Sequence, residues 1–290
     1  MRGRCRNERR VRLWLIAGTQ MLAEREILYP VDGTDPRINA PIVRMNGEKY
    51  LIVNADDFGQ SPGINRGIIE AHEHGIVTSA SLMTRWSAAG EAAAYAREHP
   101  TLSVGLHLDL GEWVYRDTGW VQLYTVISLD DREAIQSEIS RQLETFHALL
   151  GKLPDHINSH QHVHMREPVR SVALEVCQSF GIPLRNLSSE LNYFTKFYGQ
   201  TAEGLPFPSY ISLEWLIEIL TVHVPNGWTV LTCHPGYVDD VNTMYRLERF
   251  EELKVLCDPR VKAVIAELGI TLRSFQDWQF LHTAPNGTLR

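Results

Sequence analysis

Apolar and polar positions alternate along most of this chain with two different periods, and the switches between them mark out the elements. Residues 50–53 are a short apolar run between charged Glu48–Lys49 and polar Asn54, the pattern of a buried strand. Ser61–Pro62 predicts a helix start, with serine as cap and proline in the first turn. Ile64, Gly67, Ile68 and Ala71 form its sheet-facing stripe, and Gly75 ends it. Residues 78–83 read as the next strand and the Ala-rich 87–98 as the next helix. Residues 102–110 are a third strand, whose alternation sets Val104, Leu106 and Leu108 on one face and Gly105, His107 and Asp109 on the other. Residues 130–150 repeat Ile135, Ile139, Leu143, Phe146 and Leu150 at helical spacing, with Asp130 or Asp131 as cap and Gly151 as stop.

Further strands are expected at 154–158, 182–187, 228–233 and 270–272, and further helices at 168–180, 211–222, 245–256 and 261–268. Two aromatic stretches, 111–129 and 188–208, lack a clear period and read as irregular insertions over one end of the fold. About seven strands alternating with helices predict an α/β protein with a parallel sheet. Roughly 230 residues of such units suit a deformed (β/α) barrel of TIM type with one unit incomplete. A doubly wound open sheet is the alternative. Residues 1–44 read as an N-terminal extension, peripheral or disordered, 45–278 as a single catalytic domain, and 279–290 as a tail.

Composition narrows the function classes. The chain has 290 residues, 44% hydrophobic and 22% charged, as in ordinary globular proteins. A formal net charge of −7 leaves no basic excess for a nucleic-acid backbone. No apolar run reaches the roughly 18 residues of a membrane helix. The basic N-terminus carries an apolar stretch, Leu13 to Gly18, shorter than the roughly 7–15 residues of a signal h-region. The scattered Cys5, Cys177, Cys233 and Cys257 form no CxxC pair and read as reduced thiols of a cytoplasmic protein. A homodimer is the default assembly expected from how common such oligomers are.

The candidate chemistry follows the strands. The adjacent carboxylates Asp56 and Asp57 sit at the end of the first strand, where like charges need a cation or a solvated turn. His107 ends the third strand, and His156, His160, His162 and His164 surround the end of the fourth. His234 ends the strand at 228–233. In a parallel barrel all these ends lie on one face. One Asp and two His around an open position form a hydrolytic metal shell, and imidazole donors favour Zn, Mn, Co, Ni or Fe over Mg. If extended, 160–164 would place His160, His162 and His164 on one side, more histidines than a single ion needs; the surplus reads as outer-shell or structural.

NADDFG, GIIEA, GIVTSASLM, VGLHLDL, HINSHQHVHM and CHPGY, in this order, resemble the YdjC family of carbohydrate deacetylases from about Lys49 to Phe275. The resemblance implies a deformed (β/α) barrel related to the polysaccharide deacetylases, with one divalent ion (Zn, Mg, Mn, Co or Ni) held by Asp57, His107 and His160. It further implies Asp56 as base and His234 as general acid or oxyanion partner. Arg185 would orient Asp56, and His162 and His164 would stand in the outer shell. The implied reaction removes an acetyl group from an N-acetylated sugar. Its rivals are hydrolysis of another bond, an ester or a phosphoester, the low basic content near the motifs speaking against phosphate binding, and a catalytically idle sugar- or metal-binding protein, which would need neither Asp56 nor His234.

Overall fold

The computed structural model describes residues 47–282, except 239, 241 and 242, and the backbone of residues 8–17 and 20–30. The chain divides into two units, Met1–Asn46 and Gly47–Arg290. In the first, β1 (Glu8–Ala17) and β2 (Gln20–Pro30) pair as an antiparallel hairpin. The rest of the expected extension lies outside the described residues.

The second unit opens with β3 (Lys49–Phe58), α1 (Pro62–Glu73), β4 (Ser79–Leu82), α2 (Ala89–Glu98) and β5 (Ser103–Leu108). It continues through β6 (Gly111–Arg116), β7 (Gly119–Thr125), α3 (Arg132–Leu150), β8 (Ile157–Ser159) and α4 (Val169–Phe180). Then come β9 (Leu191–Phe194), α5 (Leu213–Val222), β10 (Gly227–Cys233), α6 (Leu247–Leu256), α7 (Pro259–Glu267), β11 (Ile270–Leu272) and α8 (Phe275–His282). Local rules account for the ends. Ser61 Oγ accepts from Ile64 N at the start of α1, Asp131 caps α3, and Gly151 ends α3 in the left-handed conformation.

The main sheet is parallel, in the order β8-β5-β4-β3-β10-β9, with β11 alongside the first half of β3. These seven strands curl into an incomplete (β/α) barrel. The two faces of β3 explain the packing. Leu51, Val53 and Ala55 join the large apolar cluster beneath the helices, while Ile52 belongs to a smaller cluster with Trp228, Val230, Phe275 and Trp278. The residues that follow Ile52 on its face are Asn54 and Asp56, so the second face turns from apolar to polar along the strand. Val104, Leu106 and Leu108 of β5 face the helices, as their alternation requires.

The structure departs from the sequence pattern in four places. Residues 111–125, expected to be irregular, form the β6–β7 hairpin. Residues 182–187 do not form a strand and contribute one bridge, Leu184 to Ile157. β9, from the second aromatic stretch, adds a strand beside β10 at the other end of the sheet. α8 carries the chain past Trp278 to His282, and 283–290 of the expected tail lie outside the described residues. No helix among the described residues is long and apolar enough to cross a membrane.

Candidate metal centre

The site begins with an irregularity in β3. One residue separates Ala80 from Leu82 on β4, while two separate their partners Ala55 and Phe58, so β3 bulges at Asp56–Asp57. Asp57 adopts a positive φ of 70°, uncommon for a residue with a side chain. Successive side chains of a regular strand point to opposite faces. The bulge overrides that rule, and both carboxylates line one cavity with His107, Glu112, His160, His162, Tyr198, His234, Tyr245 and Arg249.

Asp57 Oδ1 is the point of convergence. His107 Nε2 lies 3.2 Å from it and His160 Nδ1 3.1 Å. One ligand-type atom from each of the three residues fits within 4.8 Å of the others. The donor set is one carboxylate and two imidazoles, which suits a divalent transition ion. The surroundings fit as well. Asn158 Oδ1 accepts from His107 Nδ1 at 2.6 Å, which leaves Nε2 with its lone pair toward Asp57. Arg249 Nη2 donates to Asp57 Oδ2 at 2.6 Å, so Oδ1 alone faces the histidines. Burial opposes the charge on Asp57, but Arg249 and His160 outweigh it and hold its carboxyl well below the usual range.

Asp56 is held separately. Arg185 grips both of its oxygens, and the Asn54 and Asn158 amides donate to Oδ1 at 2.9 and 3.0 Å. Burial raises its pKa; Arg185, His107 and His234 lower it further, so the group stays ionised. His234 Nε2 lies 3.8 Å from Asp56 Oδ2, on the far side from Asn158. Burial pushes His234 down to about 4 despite the two aspartates, so its ring is neutral at pH 7. Glu252 accepts from the His234 amide at 2.5 Å and from the Tyr245 hydroxyl. Burial pushes Glu252 up to about 8.

The turn after β10 that carries His234 is anchored to α1. Tyr237 N donates to Gly63 O, and Asp240 accepts from Ser61 Oγ and Gly63 N. Gly67 and Gly236 meet so closely there that a Cβ on Gly67 would lie 2.4 Å from Gly236 Cα.

The other histidines part company with this group. The expected extended run 160–164 is instead a 3-10 turn in which Gln161 and His162 both have positive φ. His162 is exposed and lines the same cavity, outside the Asp57–His107–His160 cluster. His164 is buried: its Nδ1 accepts from Ser159 Oγ and its Nε2 donates to the Arg185 carbonyl. It ties the turn to the Arg185 segment. His156 pairs with Ser81 Oγ and stacks on Phe275.

Glu112, Asn158, Arg249 and Glu252 were not singled out by sequence. Asn158 stands next to the histidine-rich motif, and Arg249 and Glu252 share one face of α6 at helical spacing; Glu112 gave no signal of its own.

Fold and site together define a class: an incomplete (β/α) barrel with an Asp–His–His cluster at the carboxyl ends of its strands. Within that class the chain belongs to the YdjC family, whose profile, described as YdjC-like protein, matches residues 50–267. A chitooligosaccharide deacetylase of Serratia marcescens is 36% identical over 258 residues, 79% of this chain and 99% of that protein. A carbohydrate deacetylase of Geobacillus stearothermophilus is 35% identical over 251 residues, 79% of this chain and 98% of its own. Among solved structures, a candidate cellobiose-phosphate cleavage protein of Enterococcus faecalis V583 superposes with TM-score 0.66 at 28% identity, over 80% of this chain and 99% of that one. The Xyl-CE4 domain of a xylanase from the hindgut metagenome of Trinervitermes trinervoides shares the fold, with TM-score 0.50 at 10% identity, covering 83% and 95% of the two chains.

Proposed function

We propose that this protein is a metal-dependent hydrolase that removes the acetyl group from an N-acetylated amino sugar or short oligosaccharide and releases acetate. The observation that carries this reading is the approach of His107 Nε2 and His160 Nδ1 to Asp57 Oδ1, with Asp56 and His234 beside them. The names of the relatives, chitooligosaccharide and carbohydrate deacetylases, agree with it.

Asp57, His107 and His160 would hold one divalent ion, of the Zn, Mn, Co or Ni kind by donor type, with Mg less suited. When bound, the ion supplies Lewis acidity, lowering the pKa of water and drawing charge from the acetamide oxygen. The chain's own groups do the rest. Asp56, ionised and fixed by Arg185, accepts the proton of the attacking water. The four donors on it restrain its orientation and keep it from being protonated in the resting state. His234, neutral at rest and 3.8 Å from Asp56, would take up the proton that Asp56 has received from the water and pass it to the departing amine. Glu252 and Tyr245 hold the turn that carries His234.

Cys177, Cys233 and Cys257 are free thiols, two of them buried, which supports a reducing, cytoplasmic location. A homodimer is the expected assembly, to be checked by light scattering.

The test is acetate release from N-acetylglucosamine and N,N′-diacetylchitobiose by protein treated with chelator and then resupplied with Zn, Mn, Co, Ni or Mg. Release abolished by chelation and restored by one of these ions is the expected outcome. Bound metal without acetate from either sugar would reject the substrate assignment.

A further inference from the structure

The β6–β7 hairpin brings a carboxylate to the site that the sequence motifs leave out. Glu112 is 4% exposed and lines the cavity beside Asp57, His107 and His160. No hydrogen bond reaches its carboxylate from the described residues. The polar atom that faces it is His160 Nε2, 4.0 Å from Oε2. That nitrogen is itself buried without a hydrogen-bond partner. A buried nitrogen without a partner thus faces a carboxylate oxygen, and buried polar groups are seldom left unpaired.

The hairpin is fastened where this meeting requires it. Gln161, the residue after His160, donates from Nε2 to Trp113 O at 2.7 Å and accepts from Trp113 N at 2.8 Å. The backbone next to Glu112 is therefore clamped to the backbone next to His160. The left-handed conformation of Gln161 turns its side chain into that clamp.

We propose that Glu112 is the positioning residue for His160: its carboxylate accepts the Nε2 proton and fixes the tautomer whose Nδ1 lone pair points to the cation. The proposal rests on the metal-centre reading above. It gives His160 what His107 already has in Asn158, an outer acceptor that sets which nitrogen is free. The two acceptors differ in charge. Asn158 is neutral, whereas Glu112 is a carboxylate and makes its imidazole the more electron-rich donor. Closing the 4.0 Å separation to a hydrogen bond takes a shift of about 1 Å.

The experiment measures zinc and cobalt affinity by chelator competition on the full chain, for wild type, Glu112→Ala, Glu112→Gln and Gln161→Ala. Glu112→Ala is expected to bind about 10–100-fold more weakly. Glu112→Gln, whose amide oxygen still accepts, loses less, and Gln161→Ala falls between them because the hairpin is unclamped. Nitrogen-15 imidazole spectra of the wild type should show His160 protonated at Nε2. Affinities of Glu112→Ala within about twofold of wild type, or a His160 proton on Nδ1 in the metal-loaded protein, overturn the proposal. If Glu112→Ala fails to fold, Glu112→Gln and the wild-type spectrum decide it. A wild type that binds neither ion overturns the metal-centre reading itself, and this proposal with it.

Discussion

Arg185 and Asp56, separated by 129 residues in sequence, form a buried fork: Nη1 to Oδ2 at 2.5 Å and Nη2 to Oδ1 at 2.7 Å. Removing one partner of such a pair strands the other, at a cost of roughly 3–5 kcal/mol. Arg185→Gln should therefore lower the melting temperature markedly. It should also raise the pKa of Asp56, because the cation that depresses it is gone. A base works only above its pKa, so the acidic limb of kcat/KM should move to higher pH. An acidic limb at its original position would show that Arg185 does not tune Asp56.

The two adjacent aspartates should separate cleanly on mutation. Asp57→Asn, His107→Ala and His160→Ala each remove a converging donor, so metal content should fall toward zero by elemental analysis. Asp56→Asn keeps all three donors. It should retain metal while losing activity by about 10²–10⁴, the scale of general-base catalysis.

Acid should weaken the metal-free protein before its carboxylates titrate. Burial pushes His164 down to about 3 and His234 to about 4. Both lie below the unfolded histidine value of about 6.5. Between these limits the unfolded chain binds more protons, so stability is lost as pH falls from about 6.5. His156, pushed down by burial, adds to the loss, while His160 and Glu252 are shifted upward and work the other way, offsetting part of it. Asp56 and Asp57, both depressed, extend the decline below about pH 4. Urea midpoints at pH 7.5, 6 and 5 should fall in that order, and His164→Gln should flatten the trend.

Gly67→Ala tests the packing that supports His234. The new methyl would meet Gly236 at 2.4 Å, backbone against backbone, with no flexible side chain to give way. Overpacking of this kind costs about 1–3 kcal/mol. Displacement of the turn two residues after His234 should lower kcat as well. Gly90→Ala in α2 meets nothing within 4 Å and should stabilise the helix by roughly 0.5–1 kcal/mol. Equal behaviour of the two variants would mean that the α1 contact does not support the turn.

The parallel barrel was legible because its strands are short apolar runs between helices with clear stripes and caps. Leu51, Val53, Ile135 and Ile139 needed nothing but spacing to be placed in the core. What failed were inferences from local period where the backbone leaves its regular form. His160, His162 and His164 share a face only in an extended chain, and left-handed Gln161 and His162 break that chain. β7 was hidden by its exposure: with Trp120, Val121 and Leu123 facing outward, no apolar–polar alternation marks it, and β6 buries Glu112 among its apolar positions. The Asp117–Thr118–Gly119 turn, with Asp117 at φ 53°, was the available signal. Glu112 could not be recognised without that hairpin. Arg185 was named from its motif together with its partner, and the segment after Leu184 brings its guanidinium onto Asp56.

The bulge in β3 has a mechanical consequence. Because Asp56 and Asp57 are consecutive, the spacing between the two carboxylates is set by one peptide unit, and no hinge lies between them. A sugar entering the cavity cannot alter that spacing by bending a loop or closing a lid. Adjustment to differently sized saccharides falls to the rim: the hairpin with Glu112, Tyr198 and the turn after His234. The centre behaves as a fixed tool, and the surrounding segments as exchangeable jaws.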